Sequence, residues 1–221
     1  MSDKIDAFNI VADKYDDWYT HPQGKQVFEA ELKGVEKMIP KKGLGLEIGA
    51  GTGFFAYHLT NLERKILCLD PSVEMLNRAK NRGLHCIMGV GNSTPLRQGV
   101  IDFGYLVTVL EFLDKPVELL TEFRENAQAY APISILFINA ESKWGEFYQK
   151  IGKQGDTVFQ HAKLYSPRQV IKLLNKAGYK VKKSIGTLNS DPFDKKVDQR
   201  LLKASEKSGV VIIKAAPKKC S

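Results

Sequence analysis

The stretch Gly43–Ala56 reads GLGLEIGAGTGFFA. A short apolar run leads to one carboxylate, Glu47, and then to three glycines at alternate positions, Gly49, Gly51 and Gly53. Phe54 and Phe55 open a helical pattern behind them. A strand, a bare turn and a helix in that order let a ligand approach the backbone, because glycine has no Cβ to keep it away and tolerates unusual dihedrals. An acid just before the glycines narrows the choice of ligand.

The same texture continues outward. The runs LGLEI, KILCLD, LHCIMGV, IDFGYLVTVL and ISILFIN alternate with helical or loop segments. Apolar strands separated by helices predict a parallel sheet covered on both faces. YKVKKSIG and GVVIIKA add two more strands, read as a hairpin joined by the loop 187–208. The expectation is an α/β fold with a seven-stranded, mostly parallel sheet whose last strand is antiparallel. Upstream, Phe8, Val11, Ala12, Tyr15, Trp18 and Tyr19 recur at helical spacing until His21-Pro22 breaks the run. A second helix places Phe28, Leu32, Val35 and Ile39 on one face. Ser166-Pro167 reads as the cap and first residue of a late helix. The segment 140–165 follows the fifth strand, is long and mixed in character, and is predicted to be a lid. The chain thus reads as one domain over 1–221, with a helical cap over 1–42 and a lid insertion over 140–165.

Composition sets wider bounds. The 221 residues are 43% hydrophobic and 26% charged, as in an ordinary globular domain. No apolar stretch reaches the roughly eighteen residues of a membrane span, and the first residues lack a signal-peptide pattern. The expected location is the cytoplasm. The three cysteines and four histidines show no metal-ligand spacing, so no metal is expected. A net charge of +8 raises the question of nucleic acid. The basic residues are spread out, however, and form no long stripe interleaved with aromatics, which argues against such a partner. Nothing in the sequence speaks to oligomeric state.

Three ligand classes use a turn of this kind. A triphosphate loop needs Lys-Ser or Lys-Thr after its last glycine, where this chain has Phe54-Phe55. A dinucleotide loop follows G-x-G-x-x-G, and Phe54 stands where its third glycine belongs. Glu47 would also repel a pyrophosphate. A ligand with an ammonium, a sulfonium and no phosphate fits better, and S-adenosylmethionine is such a ligand. Glu47 can attract its ammonium. Asp70, at the end of the second strand, can accept hydrogen bonds from ribose hydroxyls, as acids there also do for NAD.

With these residues in place, the sequence resembles the class I S-adenosylmethionine-dependent methyltransferases over about Ala7 to Lys214. Glu47-Ile48-Gly49-Ala50-Gly51-Thr52-Gly53 is similar to the E-x-G-x-G-x-G signature of a small-molecule branch. LDPSVEML (69–76), VTVLEFLDKP (107–116) and YDDWY (15–19) resemble further motifs in the right order. The resemblance implies a Rossmann-like three-layer sandwich with S-adenosyl-L-methionine as cofactor and S-adenosyl-L-homocysteine as product. It implies that Gly49, Ala50, Gly51 and Gly53 line the methionine moiety. Pro71, Ser72 and Met75 would flank ribose and adenine, with Gly91, Asn92 and Ser93 at the adenine edge. Thr108, Val109 and Glu111 would lie under the cofactor, and Tyr15 would approach its methionine end. Two departures stand out. Val90 replaces an acid that often contacts adenine, and the usual L-x-P-G-G before the fifth strand is missing.

Methyl transfer needs alignment of an acceptor and, for some acceptors, a base. Tyr19, His21, Glu111 and His161 are the candidate catalytic residues, with Tyr148 and Tyr165 beside them. The expected activity is methylation of a small molecule at N, O or S. An RNA or protein methyltransferase and a non-catalytic S-adenosylmethionine-binding protein remain as alternatives.

Overall fold

The computed structural model describes residues 2–90 and 95–218. Eight strands form one sheet: β1 (Gly43–Ile48), β2 (Arg64–Asp70), β3 (His85–Met88), β4 (Phe103–Val107), β5 (Ile133–Ile138), β6 (Tyr179–Thr187), β7 (Leu202–Lys203) and β8 (Val210–Pro217). Their order is β3-β2-β1-β4-β5-β8-β6-β7. The first five are parallel to one another, and β8 runs antiparallel to both β5 and β6. The order reverses between β1 and β4, which opens a crevice at the carboxyl ends of the strands.

The sheet has eight strands where seven were expected. The extra one, β7, lies within the stretch read as a loop and pairs antiparallel with β6 through Ile185↔Lys203 and Gly186↔Leu202. Two residues carry no periodicity, so tertiary pairing alone defines it.

The helices are α1 (Ser2–Val11), α2 (Asp17–Thr20), α3 (Pro22–Met38), α4 (Phe54–Leu59), α5 (Val73–Asn81), α6 (Pro116–Asn126), α7 (Lys143–Lys153) and α8 (Pro167–Lys176). Alternation along the strands divides the core into two layers. Phe103, Tyr105 and Val107 of β4 join Val27, Phe28, Val35 and Met38 of α3 on one face. Leu46 and Ile48 of β1, with Ile133 and Ile135 of β5, join Leu120, Phe123, Val170 and Leu174 of α6 and α8 on the other. Glu47 therefore points toward the α3 face. Ser166 and Gln169 form a reciprocal capping box with Pro167 in the first turn of α8, as the sequence predicts.

The N-terminal run is not one helix. Turns closed by Lys14 N–H to Val11 O and Asp17 N–H to Lys14 O separate α1 from α2. Tertiary bonds explain the break. Asp16 accepts from the Thr52 hydroxyl at 2.7 Å and pairs with Arg82, while Asp13 pairs with Arg78. These contacts draw residues 12–16 onto the glycine turn.

The segment 140–165 contains α7 and a 3₁₀ turn at Phe159–His161. Ser142 caps α7, and the buried Trp144 ring donates its Nε1–H to Ser190 O at 3.0 Å. Trp144→Ala is expected to lower the unfolding free energy by about 3–5 kcal/mol, as for other buried aromatics. Chemical denaturation of the variant measures this, and a loss below about 1 kcal/mol would contradict the packing role given to the ring.

Candidate active site

The glycine turn bends where β1 meets β2. Gly49 and Ala50 both donate their N–H groups to Leu69 O, at 2.7 and 3.0 Å. Gly49 has φ +71° and Gly51 +53°, in the left-handed region that favours glycine. Their surroundings differ. A Cβ on Gly49 would meet the Val109 side chain at 2.5 Å, whereas one on Gly51 would meet only Met75 Sδ, at 3.9 Å. Gly49 is thus bare for packing, and Gly51 leaves open space that a ligand can enter.

Asp70 organises this turn. Its Oδ2 accepts from Gly51 N–H and its Oδ1 from Ser72 N–H, both at 2.8 Å. It is not the helix cap, because Ser72 Oγ takes that role by accepting from Met75 N–H. Each carboxylate oxygen retains acceptor capacity, and the side chain borders the cavity. Burial holds its carboxyl above the usual range, and the two amide bonds oppose that shift.

The cavity lies over the carboxyl ends of β1, β2 and β4 and is lined by Gly49, Gly51, Asp70, Pro71, Ser72, Met75, Thr108 and Val109. Ile5 and Phe8 of α1 cover it. Lys4 anchors that helix, reaching Phe112 O at 3.0 Å and Asp114 at 2.6 Å. A narrower recess continues from the cavity and shares Tyr15, Gly49, Gly51, Val107 and Thr108 with it. Glu47, Ala50, Tyr19, Phe54 and Phe55 wall this recess. Tyr19 stacks on Phe54, with centroids 4.8 Å apart and planes 7° apart. Gly53 starts α4 and packs against α5 rather than facing either space.

Glu47 is 2% exposed and accepts from the Tyr105 hydroxyl at 3.0 Å. Burial pushes its carboxyl up to about 8, against the pull of Tyr105 and the Ala56 amide. An ammonium beside it would favour the ionised form, and a phosphate would not. At the end of β4, Thr108 has φ +50°, a strained conformation for a β-branched residue. The strain falls where both spaces meet.

Glu111 sits in the 3₁₀ turn Leu110–Phe112 and is 1% exposed, so it is not a solvated strand end. Its Oε1 accepts from Ile138 N–H at 2.7 Å, and Oε2 has no partner among the described residues. Burial pushes this carboxyl up to about 7. It lies just behind Thr108 and Val109 in the chain and does not itself line either space. His21 is exposed at the start of α3, and His161 is half-buried at the end of its 3₁₀ turn; neither borders the two spaces. Gly91, Asn92 and Ser93 lie outside the described residues. Val90 does line the cavity, so the position of the missing acid presents an apolar wall.

One polar residue escapes the sequence reading. Glu31 on α3 is 6% exposed. It lies three residues after Phe28 and four before Val35, so an acid occupies the apolar face of an amphipathic helix. That misplaced charge is the signal that could have found it.

Residues 46–127 match the family model for a methyltransferase domain. An uncharacterised protein of Methanocaldococcus jannaschii is 31% identical over 184 residues, covering 83% of this chain and 86% of that one. A Thermotoga maritima crystal structure, of an S-adenosylmethionine-dependent methyltransferase described as a possible histamine N-methyltransferase, superposes with a TM-score of 0.86. It is 26% identical and covers 96% of this chain and 98% of its own. An Aquifex aeolicus S-adenosylmethionine-dependent methyltransferase shares the fold at a TM-score of 0.67 and 19% identity, covering 95% of this chain and 98% of its own. The chain belongs to the class I S-adenosylmethionine-dependent methyltransferases. S-Adenosylmethionine is its cofactor, and the donor set fits it: a buried acid for an ammonium, an open glycine backbone and an acid with spare acceptor capacity.

Proposed function

We propose that this enzyme methylates a small molecule. The observation that supports the reading is the partial cover that α1 gives the site. Ile5 and Phe8 of α1 line the cavity, and Tyr15 borders both it and the recess. Cover of this kind suits a small acceptor better than a polymer. The small-molecule acceptor named for the Thermotoga maritima relative supports the same reading.

S-Adenosylmethionine supplies a methyl group on a positively charged sulfur. The chain's residues hold and shield it. Glu47 faces the ammonium, the Gly51 backbone runs along the methionine chain, and Asp70 accepts from the ribose. Met75, Pro71 and Ser72 flank the nucleoside, and Thr108 and Val109 form the floor. Residues 1–42 act as the cap, and 140–165 act as the lid on the acceptor side. Water exclusion by Tyr15, Tyr19 and the α1 residues aligns the acceptor with the methyl group.

The test is incubation with methyl-labelled S-adenosylmethionine and either a small-molecule extract or total RNA and protein. Label is expected in the small-molecule fraction. Label confined to RNA or protein would overturn the reading. The net charge of +8 favours that rival, and RNA binding that weakens steeply with salt would support it.

A further inference from the structure

Among the described residues, none from 140–165 lines the cavity or the recess. A chain of aromatic rings nevertheless joins that segment to the cavity. Its central member is Phe112, the last residue of the 3₁₀ turn after β4. Phe112 is half-buried and lines the cavity. On one side it meets the cap. The Phe8 ring of α1 stands edge to face against it, with centroids 5.1 Å apart and planes at 83°. Lys4 Nζ of the same helix donates to the Phe112 carbonyl oxygen at 3.0 Å. On the other side it meets the segment 140–165. The Phe159 ring lies 6.4 Å away, tilted by 51°. Lys163 N–H ties that segment to the same turn by donating to Glu111 O at 2.8 Å.

Phe159 carries the contact onward. Its ring stacks on Tyr148 of α7 with centroids 4.4 Å apart. The Tyr148 ring in turn lies 6.3 Å from that of the buried Trp144. The 3₁₀ turn at Phe159–His161 and α7 therefore form one packed unit, and Phe112 is its contact with the cavity wall.

One flank of the Phe112 ring is packed by protein and another borders the cavity. A ring without neighbours on one side forfeits dispersion contacts there. A ligand in the cavity gives Phe112 neighbours on that flank and narrows the positions open to it. Two covers that lean on one ring do not shift independently.

We propose that Phe112 is a positioning residue that couples cofactor binding to closure of the 140–165 lid. Cofactor packed against its ring fixes Phe159, and Phe159 fixes α7. The inference rests on the lid placed in the small-molecule reading above and deepens it with an order of assembly: cofactor first, then acceptor. The coupling is reciprocal, so closure on the acceptor side also tightens the hold on the cofactor.

Hydrogen exchange read by mass spectrometry, with and without saturating S-adenosylhomocysteine, tests this. Ligand is expected to slow exchange in 143–153 by about fivefold or more, the low end of ordinary coupling between sites. Phe159→Leu keeps an apolar side chain but removes the ring. It is expected to leave S-adenosylhomocysteine affinity and protection of the glycine turn unchanged, and to abolish the added protection of 143–153. Phe159→Tyr keeps the ring and should retain that protection. A side chain that merely stabilises the lid would speed exchange equally with and without ligand, leaving the ratio of the two rates unchanged. Equal rates at 143–153 with and without ligand in the unsubstituted protein would overturn the inference, and that comparison involves no variant. A ligand effect that survives Phe159→Leu would overturn it as well. No acceptor takes part, so methyl label confined to RNA or protein would sink the small-molecule reading without altering this result. If ligand protects neither the glycine turn nor 143–153, the cofactor site and the coupling fall together.

Discussion

Asp70→Ala is expected to weaken S-adenosylhomocysteine binding by about 100-fold or more, given roughly 1.5–3 kcal/mol for each hydrogen bond to a charged acceptor. Two effects add. The variant loses the oxygens proposed to accept from the ribose. It also releases Gly51 N–H and Ser72 N–H, which Asp70 holds at 2.8 Å, so the turn loses its brace. Asp70→Asn separates the two. Its amide oxygen replaces one acceptor, but its NH₂ group cannot accept from the second backbone N–H. Its affinity is expected to lie between those of Asp70→Ala and the unsubstituted protein. Adenosine, which has a ribose and no methionine, should lose affinity alongside S-adenosylhomocysteine. Calorimetry at fixed pH gives both values. A loss below about threefold in Asp70→Ala would show that this carboxylate makes no important contact with the ligand.

The parts of the site that share a local pattern were legible in the sequence. Glu47, Gly49, Gly51 and Asp70 are tied together by strand–turn–helix geometry, whereas Gly53, expected beside them, packs against α5 instead. The Asp16–Thr52–Arg82 contact was hidden because it joins residues far apart in the chain, and it overrides the helical periodicity of residues 8–19. The strand β7 was too short to leave a pattern. Glu31 escaped because its helix was read through its apolar residues, although an acid on that face was itself the anomaly. His21 and His161 were candidates by chemical type and neighbourhood in the chain. Residue type carries no direction, and their side chains belong to elements that do not border the two spaces.

Cofactor affinity is expected to fall as pH drops from about 8 to about 6, by up to about tenfold per pH unit. The sign follows from Glu47. Burial raises its carboxyl to about 8 in the ligand-free protein, so near pH 7 most molecules carry it neutral. An ammonium placed beside it favours the charged form. Binding must then expel a proton, and a step that releases a proton is opposed by acid. Above about pH 8 the carboxyl is already ionised and the dependence levels off, until the ligand's own ammonium deprotonates. Glu47→Gln has no proton to release, so its affinity should be nearly flat across this range and close to that of the unsubstituted protein at the acid end. Adenosine lacks the ammonium, so its binding should not show the slope that Glu47 imposes. Calorimetry of S-adenosylhomocysteine and adenosine at three pH values measures both ligands. A flat profile for S-adenosylhomocysteine, or a slope that persists in Glu47→Gln, would mean that the acid before the glycines serves Tyr105 and the packing of β1 rather than the ligand's ammonium.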